Sequence, residues 1–563
     1  MNRDREISGK TKLKHIADVA GAMGLPAKYL ELYGHYKAKV SLEALGNVKN
    51  NPKAKYVVVT GITPTHLGEG KTVTTIGLSM ALNRIGRRAV CCIRQPSLGP
   101  FFGIKGGGVG GGRSQVLPEE INMHLTGDIH AVGQAHNLCA AFLDNHLFRG
   151  NKLNIDTDKI FWPRVVDVND RPLRGVRIGL GGGPNGVERD TGFDITAASE
   201  VMAILALAGS LADLRKRIGR IVVALNRRGK PVTTEDLRVA GAMTAILVDA
   251  LKPNLVQTIE NTPCLMHTGP FANITHGNSS VIADKLALSL SDYTVTESGF
   301  GADCGLEKLV NIKCRASGLK PDVVVLVASV RALKTHSGSY RTVVGKPLDH
   351  NLSRENVEAV EMGCANLAKQ IENCRLYGTY CIVAINRFPS DTERELAAVR
   401  RSALEHGAMD CVVSDIYRKG SQGGAELAKA VEAAANSKHR FALLYPDDMP
   451  VRLKIETIAK KVYGANGVRF EKAAEENMAI YKKLGYEKLP VCMAKTHLSL
   501  SHDPLLKGAP RDFTLTVRDV RPSIGAGFLY ALCGKIQTMP CLPSKPSGEN
   551  IDIDSKGRLR YIK

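Results

Sequence analysis

Lys71-Thr72 stands directly after two glycines, Gly68 and Gly70, in residues 63–75 (TPTHLGEGKTVTT). That combination suits a nucleotide's phosphates. Glycine N–H groups turn inward around phosphate oxygens, a lysine ammonium reaches the β- and γ-phosphates, and a threonine hydroxyl faces Mg²⁺. The candidate ATP-binding residues are therefore Thr65, His66, Leu67, Gly68, Glu69, Gly70, Lys71 and Thr72, with Thr72 also the Mg²⁺ contact through ATP. One position departs from G-x-x-x-x-G-K-[ST]: Thr65 stands where the first glycine is expected. A glycine-rich turn with a surface lysine is the alternative reading.

These side chains need a strand before them and a helix after. Residues 56–62 (YVVVTGI) read as a buried strand, and TTIGLSMALNRIG as a helix ending near Gly86. RAVCCIRQP follows as a second strand and closes a right-handed βαβ unit. Arg94 then falls at the carboxyl end of a strand, where open α/β sheets bind ligands. Its planar guanidinium grips carboxylate and phosphate oxygens in a bidentate way that lysine cannot; a surface ion pair is the alternative. Residues 101–115 (FFGIKGGGVGGGRSQ) form a glycine-dense loop that lets a ligand approach the backbone closely. Residues 118–147 carry His124, Asp128, His130 and His136 on helical segments, at no convincing metal-ligand spacing.

The remaining pattern repeats strand–loop–helix order. Residues 11–33 predict two short helices, 195–219 one long apolar helix, and Thr233 or Thr234 the N-cap of the next. NITHGNSS (273–280), with His276, is either a site loop or a helix cap. Trp162 reads as a packing residue. Residues 321–330, the YGTYCIVAIN segment and MDCVVSDIY predict further strands, with Asn386 and Phe388 at the end of the second. The expected fold is α/β: a P-loop NTPase-type domain with a mostly parallel sheet (1–150 and 307–365) and two further α/β domains (151–306 and 366–563).

The 563 residues match roughly three domains of about 150 residues. No apolar run approaches the ~18 residues of a membrane span. The first twenty residues lack a secretory core, and Asp4, Glu6 and Asp18 argue against a transit peptide. Thirteen cysteines without a C-x-x-C pair suit a reducing compartment, so a cytoplasmic location is expected, with no membrane partner. The net charge of +21 suits anionic small substrates. Lysines and arginines are dispersed without aromatic interleaving, so nucleic acid is not an expected partner.

The sequence resembles the formate–tetrahydrofolate ligase family over nearly its whole length. The resemblance rests on TPTHLGEGKT, IRQPSLGPFFGIKGGG, HLTGDIHA, GPFANITHGNSS, VTESGFGADCGLEK, VRALKTHSG, AKTHLSLSHDP and RDVRPSIGAGFLY. It implies that ATP, formate and tetrahydrofolate give 10-formyltetrahydrofolate, ADP and phosphate through formyl phosphate. It also implies Lys71 and Arg94 as catalytic residues, Arg94 on the formyl phosphate, with Asp128 a candidate beside the folate or metal. Asn386 joins the ATP contacts, and Phe300, Phe388 and Tyr417 become candidate folate contacts. A homotetramer, activation by K⁺ or NH₄⁺ and a polyglutamylated folate belong to the same implication. Departures from the family pattern are His66 for proline, Val73 for threonine, GGGVGGGR for GGAAGGGY, Ser337 for glycine and Tyr417 for tryptophan. A phosphate-loop ATPase or ligase acting on another carboxylate, and a non-catalytic basic binding protein on this scaffold, stay open as alternatives.

Overall fold

A computed structural model describes residues 2–105, 108–340, 348–534, 536–555, 557 and 559–561. Gly106 and Gly107 of the glycine segment lie outside the described residues. The chain is mixed α/β around a large, mostly parallel sheet. Its parallel strands are β1 (Lys55–Gly61), β2 (Ala89–Ile93), β3 (Pro263–Met266), β4 (Tyr293–Glu297), β5 (Val323–Ala328), β6 (Tyr380–Asn386) and β7 (Asp410–Ser414). They lie in the order β3-β2-β4-β1-β5-β6-β7, and every neighbouring pair is parallel. Antiparallel strands Asn254–Thr258, Ala38–Val40 and Leu30–Leu32 extend the sheet beyond β3.

The valine runs follow from burial on both faces, as parallel sheets require. Val57 and Val59 face one layer, with Leu78, Ala81 and Leu82 of helix α1 (Lys71–Arg84). Val58 faces the other, with Leu306, Leu309 and Leu367. β1 and β2 are parallel, yet they are not neighbours: β4 pairs with both and separates them. The βαβ unit thus skips one strand, which is filled from much later in the chain.

Local expectations fail where tertiary contacts override pattern. The long apolar helix divides into Glu200–Leu207 and Leu211–Gly219, because Ser210 caps a new start by accepting from the N–H of Asp213. Thr233 ends a strand, Pro231–Thr233, and the following helix is Ala240–Leu247 with Val239 at its N-cap. The second of the two N-terminal helices is a single 3₁₀ turn, Ala27–Tyr29, that runs into an edge strand. Gly127 has φ +93° and precedes helix α2 (Asp128–Phe148), so His124 and Asp128 share no continuous helix. Trp162 is buried in the core beneath α2. Every cysteine is free, and all but Cys541 are buried. Two more helices, α3 (Val330–His336) and α4 (Val357–Arg375), cover the β1–β5 region of the sheet.

Smaller sheets complete the chain. Ile155–Ile160, Val222–Asn226 and Pro231–Thr233 form an antiparallel three-stranded sheet. Gly467–Phe470, Val491–Ala494, Thr514–Ser523 and Phe528–Cys533 form a mixed four-stranded one. No helix among the described residues is long and apolar enough to cross a membrane.

Candidate active site

β1 ends at Gly61 and α1 begins at Lys71, so residues 62–70 form a loop over the carboxyl end of the sheet. Gly70, the N-cap of α1, carries φ +85°, a left-handed conformation that glycine takes without a Cβ penalty. A Cβ on Gly70 would lie 2.3 Å from Nδ2 of Asn386. That amide, at the end of β6, donates to the Glu69 carbonyl at 3.0 Å. The loop's entrance is fixed from α4 and α3. Asn366 Oδ1 accepts from the Thr63 N–H at 3.1 Å, and His336 Nε2 lies 2.7 Å from the Thr63 carbonyl. Inside the loop, Glu69 Oε1 accepts from the N–H of Thr65 at 2.6 Å, and Lys71 Nζ lies 3.3 Å from Oε2. Burial, and then the charge of Lys507, push the His66 imidazole below its ordinary pKa, with Glu69 pulling the other way.

Sequence reasoning missed Glu297. It is the last residue of β4, the strand inserted between β1 and β2, and it reaches the first turn of α1 and the residue that follows β2. Thr72 Oγ1 donates to Glu297 Oε2 at 2.7 Å, and Glu297 Oε1 lies 3.5 Å from Arg94 Nε. Arg94 also donates from a terminal nitrogen to the Pro270 carbonyl at 3.4 Å. The one available signal was its place in VTESGFG, two residues before Gly299, the glycine that precedes Phe300. Thr65, Lys71, Thr72, Arg94 and Asn386 thus meet around two carboxylates, Glu69 and Glu297, and one glycine turn.

Polar atoms without partners gather at the same strand ends. Thr60 Oγ1, Gln95 Oε1, Thr268 Oγ1, Ser298 Oγ and both ring nitrogens of His276 are buried and find no hydrogen-bond partner among the described residues. Buried groups of this kind call for water, ions or substrate. Burial and the surrounding Lys313, Arg94 and Lys308 hold His276 neutral, its pKa well below the ordinary value.

The aromatic candidates lie in three separate settings. Phe300 follows Gly299, where a Cβ would sit 3.2 Å from an Arg94 terminal nitrogen. The guanidinium of Arg331 on α3 stacks over Phe388 at 3.6 Å. Tyr417 lies against the glycine segment: Arg113 N–H donates to its carbonyl at 2.8 Å, and its hydroxyl donates to Asp4 at 2.7 Å. Part of that segment is a small hairpin, Gly110–Gly111 against Ser114–Gln115. Asp128 is buried away from this cluster. Lys39 Nζ donates to its Oδ1 and Asn254 Nδ2 to its Oδ2, each at 2.7 Å. His136 is satisfied as well, between Ser199 Oγ and the Pro163 carbonyl.

A family model described as "Formate--tetrahydrofolate ligase" matches residues 2–562. Proteins of that name resemble the chain from end to end. One from Saccharopolyspora erythraea is 57% identical over 557 residues, covering 99% of this chain and 98% of the relative. Another from Roseiflexus castenholzii is 56% identical over 563 residues, covering all of both. A third from Chloroflexus aurantiacus is 54% identical, covering 99% of each. The glycine turn, its lysine and the arginine two strands away therefore sit in a chain that belongs to the formate–tetrahydrofolate ligase family.

Proposed function

We propose that this chain joins formate to tetrahydrofolate with ATP, giving 10-formyltetrahydrofolate, ADP and phosphate through formyl phosphate. The observation that carries this reading is the junction at Glu297, which ties Thr72 of the phosphate loop to Arg94. Formate and the γ-phosphate repel one another. Lys71 and the N-terminus of α1 offset charge on the phosphoryl group, and Arg94 holds the carboxylate and later the acyl phosphate. The folate N10 then attacks the formyl carbon, the bond from that carbon to the phosphate oxygen breaks, and N10 gives up its proton.

Thr72 Oγ1 and the Glu297 carboxylate are adjacent hard oxygen donors, a set that suits Mg²⁺ alongside phosphate oxygens. Bound there, Mg²⁺ would neutralise charge on the β- and γ-phosphates. Asn386 sets the shape of the loop through Glu69, and His66 and Leu67 complete its wall. Phe300 and Phe388 are read as folate contacts with Tyr417. Asp128 is kept as a folate-side group acting through Lys39 and Asn254 rather than on the phosphates. We read the parallel sheet as a P-loop NTPase-type domain, and assign the three- and four-stranded sheets to two further α/β units. Activation by K⁺ or NH₄⁺, a homotetramer, a polyglutamylated folate and a cytoplasmic location belong to the same proposal.

ADP release is the direct test. It is expected to require both formate and tetrahydrofolate. Hydrolysis indifferent to either one would sink the assignment.

A further inference from the structure

Phe300 has φ +63°. A bulky side chain rarely holds that left-handed conformation, and it persists where the surroundings over-determine it. Its ring lies against the imidazole of His497, with centroids 4.1 Å apart and planes 16° from parallel. Both halves of this stack are pinned by one buried ion pair. Asp303, three residues after Phe300, accepts at Oδ2 from Lys495 Nζ at 2.8 Å. Asp303 Oδ1 accepts from Gln370 of α4 at 2.7 Å. Lys495, two residues before His497, also donates to the carbonyls of Ser499 and Thr496, at 2.6 and 3.1 Å. Asn273 Nδ2 lies 3.5 Å from His497 Nδ1 and limits the turning of the ring. A segment from the four-stranded sheet is thereby locked onto the strand end beside Arg94.

We infer that His497 is a positioning residue for the folate: it stacks on Phe300 and fixes the orientation of that ring, which contacts the substrate. The inference rests on the proposed reading of Phe300 as a folate contact. Aromatic stacking supplies the force, and an imidazole backing costs the platform little entropy because Asn273 and Lys495 already restrain it.

Steady-state kinetics of the full chain test this with His497→Ala, His497→Gln, His497→Phe, Phe300→Ala and the double variant His497→Ala/Phe300→Ala. Loss of the imidazole is expected to raise KM for tetrahydrofolate about two- to tenfold. KM for ATP and kcat are expected to stay near wild type, and His497→Phe to restore the folate KM. Because His497 acts through Phe300, the double variant is expected to match Phe300→Ala alone. His497→Gln keeps a polar group toward Asn273 and loses the ring, so it serves if the alanine variant folds poorly. A wild-type folate KM in the ring-less variants, an equal rise in KM for ATP, or additive effects in the double variant would each overturn the role of His497. If Phe300→Ala itself leaves the folate KM unchanged, the reading of Phe300 falls, and the inference with it. The formate- and folate-dependent ADP release of the wild-type chain is a separate readout of the activity.

Discussion

Thr72 and Glu297 share a 2.7 Å hydrogen bond although 225 residues separate them in the chain. The same carboxylate lies beside Arg94. Replacing Glu297 by Gln keeps the shape and removes the charge. Turnover is expected to fall about 10²–10³-fold, with a raised Mg²⁺ requirement that Glu297→Asp partly restores. Kinetics at graded Mg²⁺ check it; a glutamine variant with wild-type Mg²⁺ dependence would remove Glu297 from the site.

Lys71 and Arg94 are partly exposed, with 16% and 25% of their side-chain surface accessible. Removing either leaves the core intact. Lys71→Ala and Arg94→Ala are expected to lower formyl transfer by at least about 10³-fold with an unchanged circular dichroism spectrum. Turnover near wild type in either variant contradicts the assigned roles.

Gly70→Ala meets two obstacles, the φ of +85° and the Asn386 side chain 2.3 Å from the new Cβ. Strain of about 1–3 kcal/mol is expected, together with a higher KM for ATP and little change in that for tetrahydrofolate. Gly68 also has positive φ but nothing within 4 Å of a Cβ, so Gly68→Ala is expected to be milder. Thermal unfolding and KM values for both variants decide the order.

His136 stacks on Trp162, the chain's single tryptophan, at 4.0 Å and 11°. Burial lowers the His136 pKa to about 4 from an ordinary 6.5. The unfolded chain therefore takes up a proton below about pH 6.5 that the folded chain refuses. Its contribution is fully present above pH 6.5 and is lost as pH falls toward 4, about 3 kcal/mol in all. The denaturant midpoint followed by tryptophan fluorescence is expected to hold steady from pH 8 to 6.5 and to fall between 6.5 and 4. His136→Gln is expected to weaken that change, and a profile identical to wild type would contradict it.

The strand–loop–helix unit around Lys71-Thr72 was legible because its pattern is local: a valine-rich strand, glycines and a helix lie in one short window. The place of Arg94 at the end of the next strand was legible by the same rule. Glu297 was not, since nothing local in VTESGFG states that its strand inserts between β1 and β2. Asp128 shows the reverse case. Its carboxylate looked available, and only the fold reveals Lys39 and Asn254 on both of its oxygens. Capping misled at Thr233, where a hydroxyl suited to an N-cap is used by Asp236 at the end of a strand. The Phe300–His497 stack joins segments nearly two hundred residues apart, beyond any periodicity.

The inserted strand also bears on synthesis. A ribosome that has released β1, α1 and β2 has released the phosphate loop and Arg94, but not the carboxylate between them. At 5–20 residues per second, Glu297 follows Thr72 by roughly 10 to 45 s. During that interval β1 and β2 lack the strand they share, and β5, the other neighbour of β1, comes later still. The nascent polypeptide thus has a period in which protection of the β1 and β2 edges, by a chaperone or by the ribosome surface, decides whether an enzyme or an aggregate results.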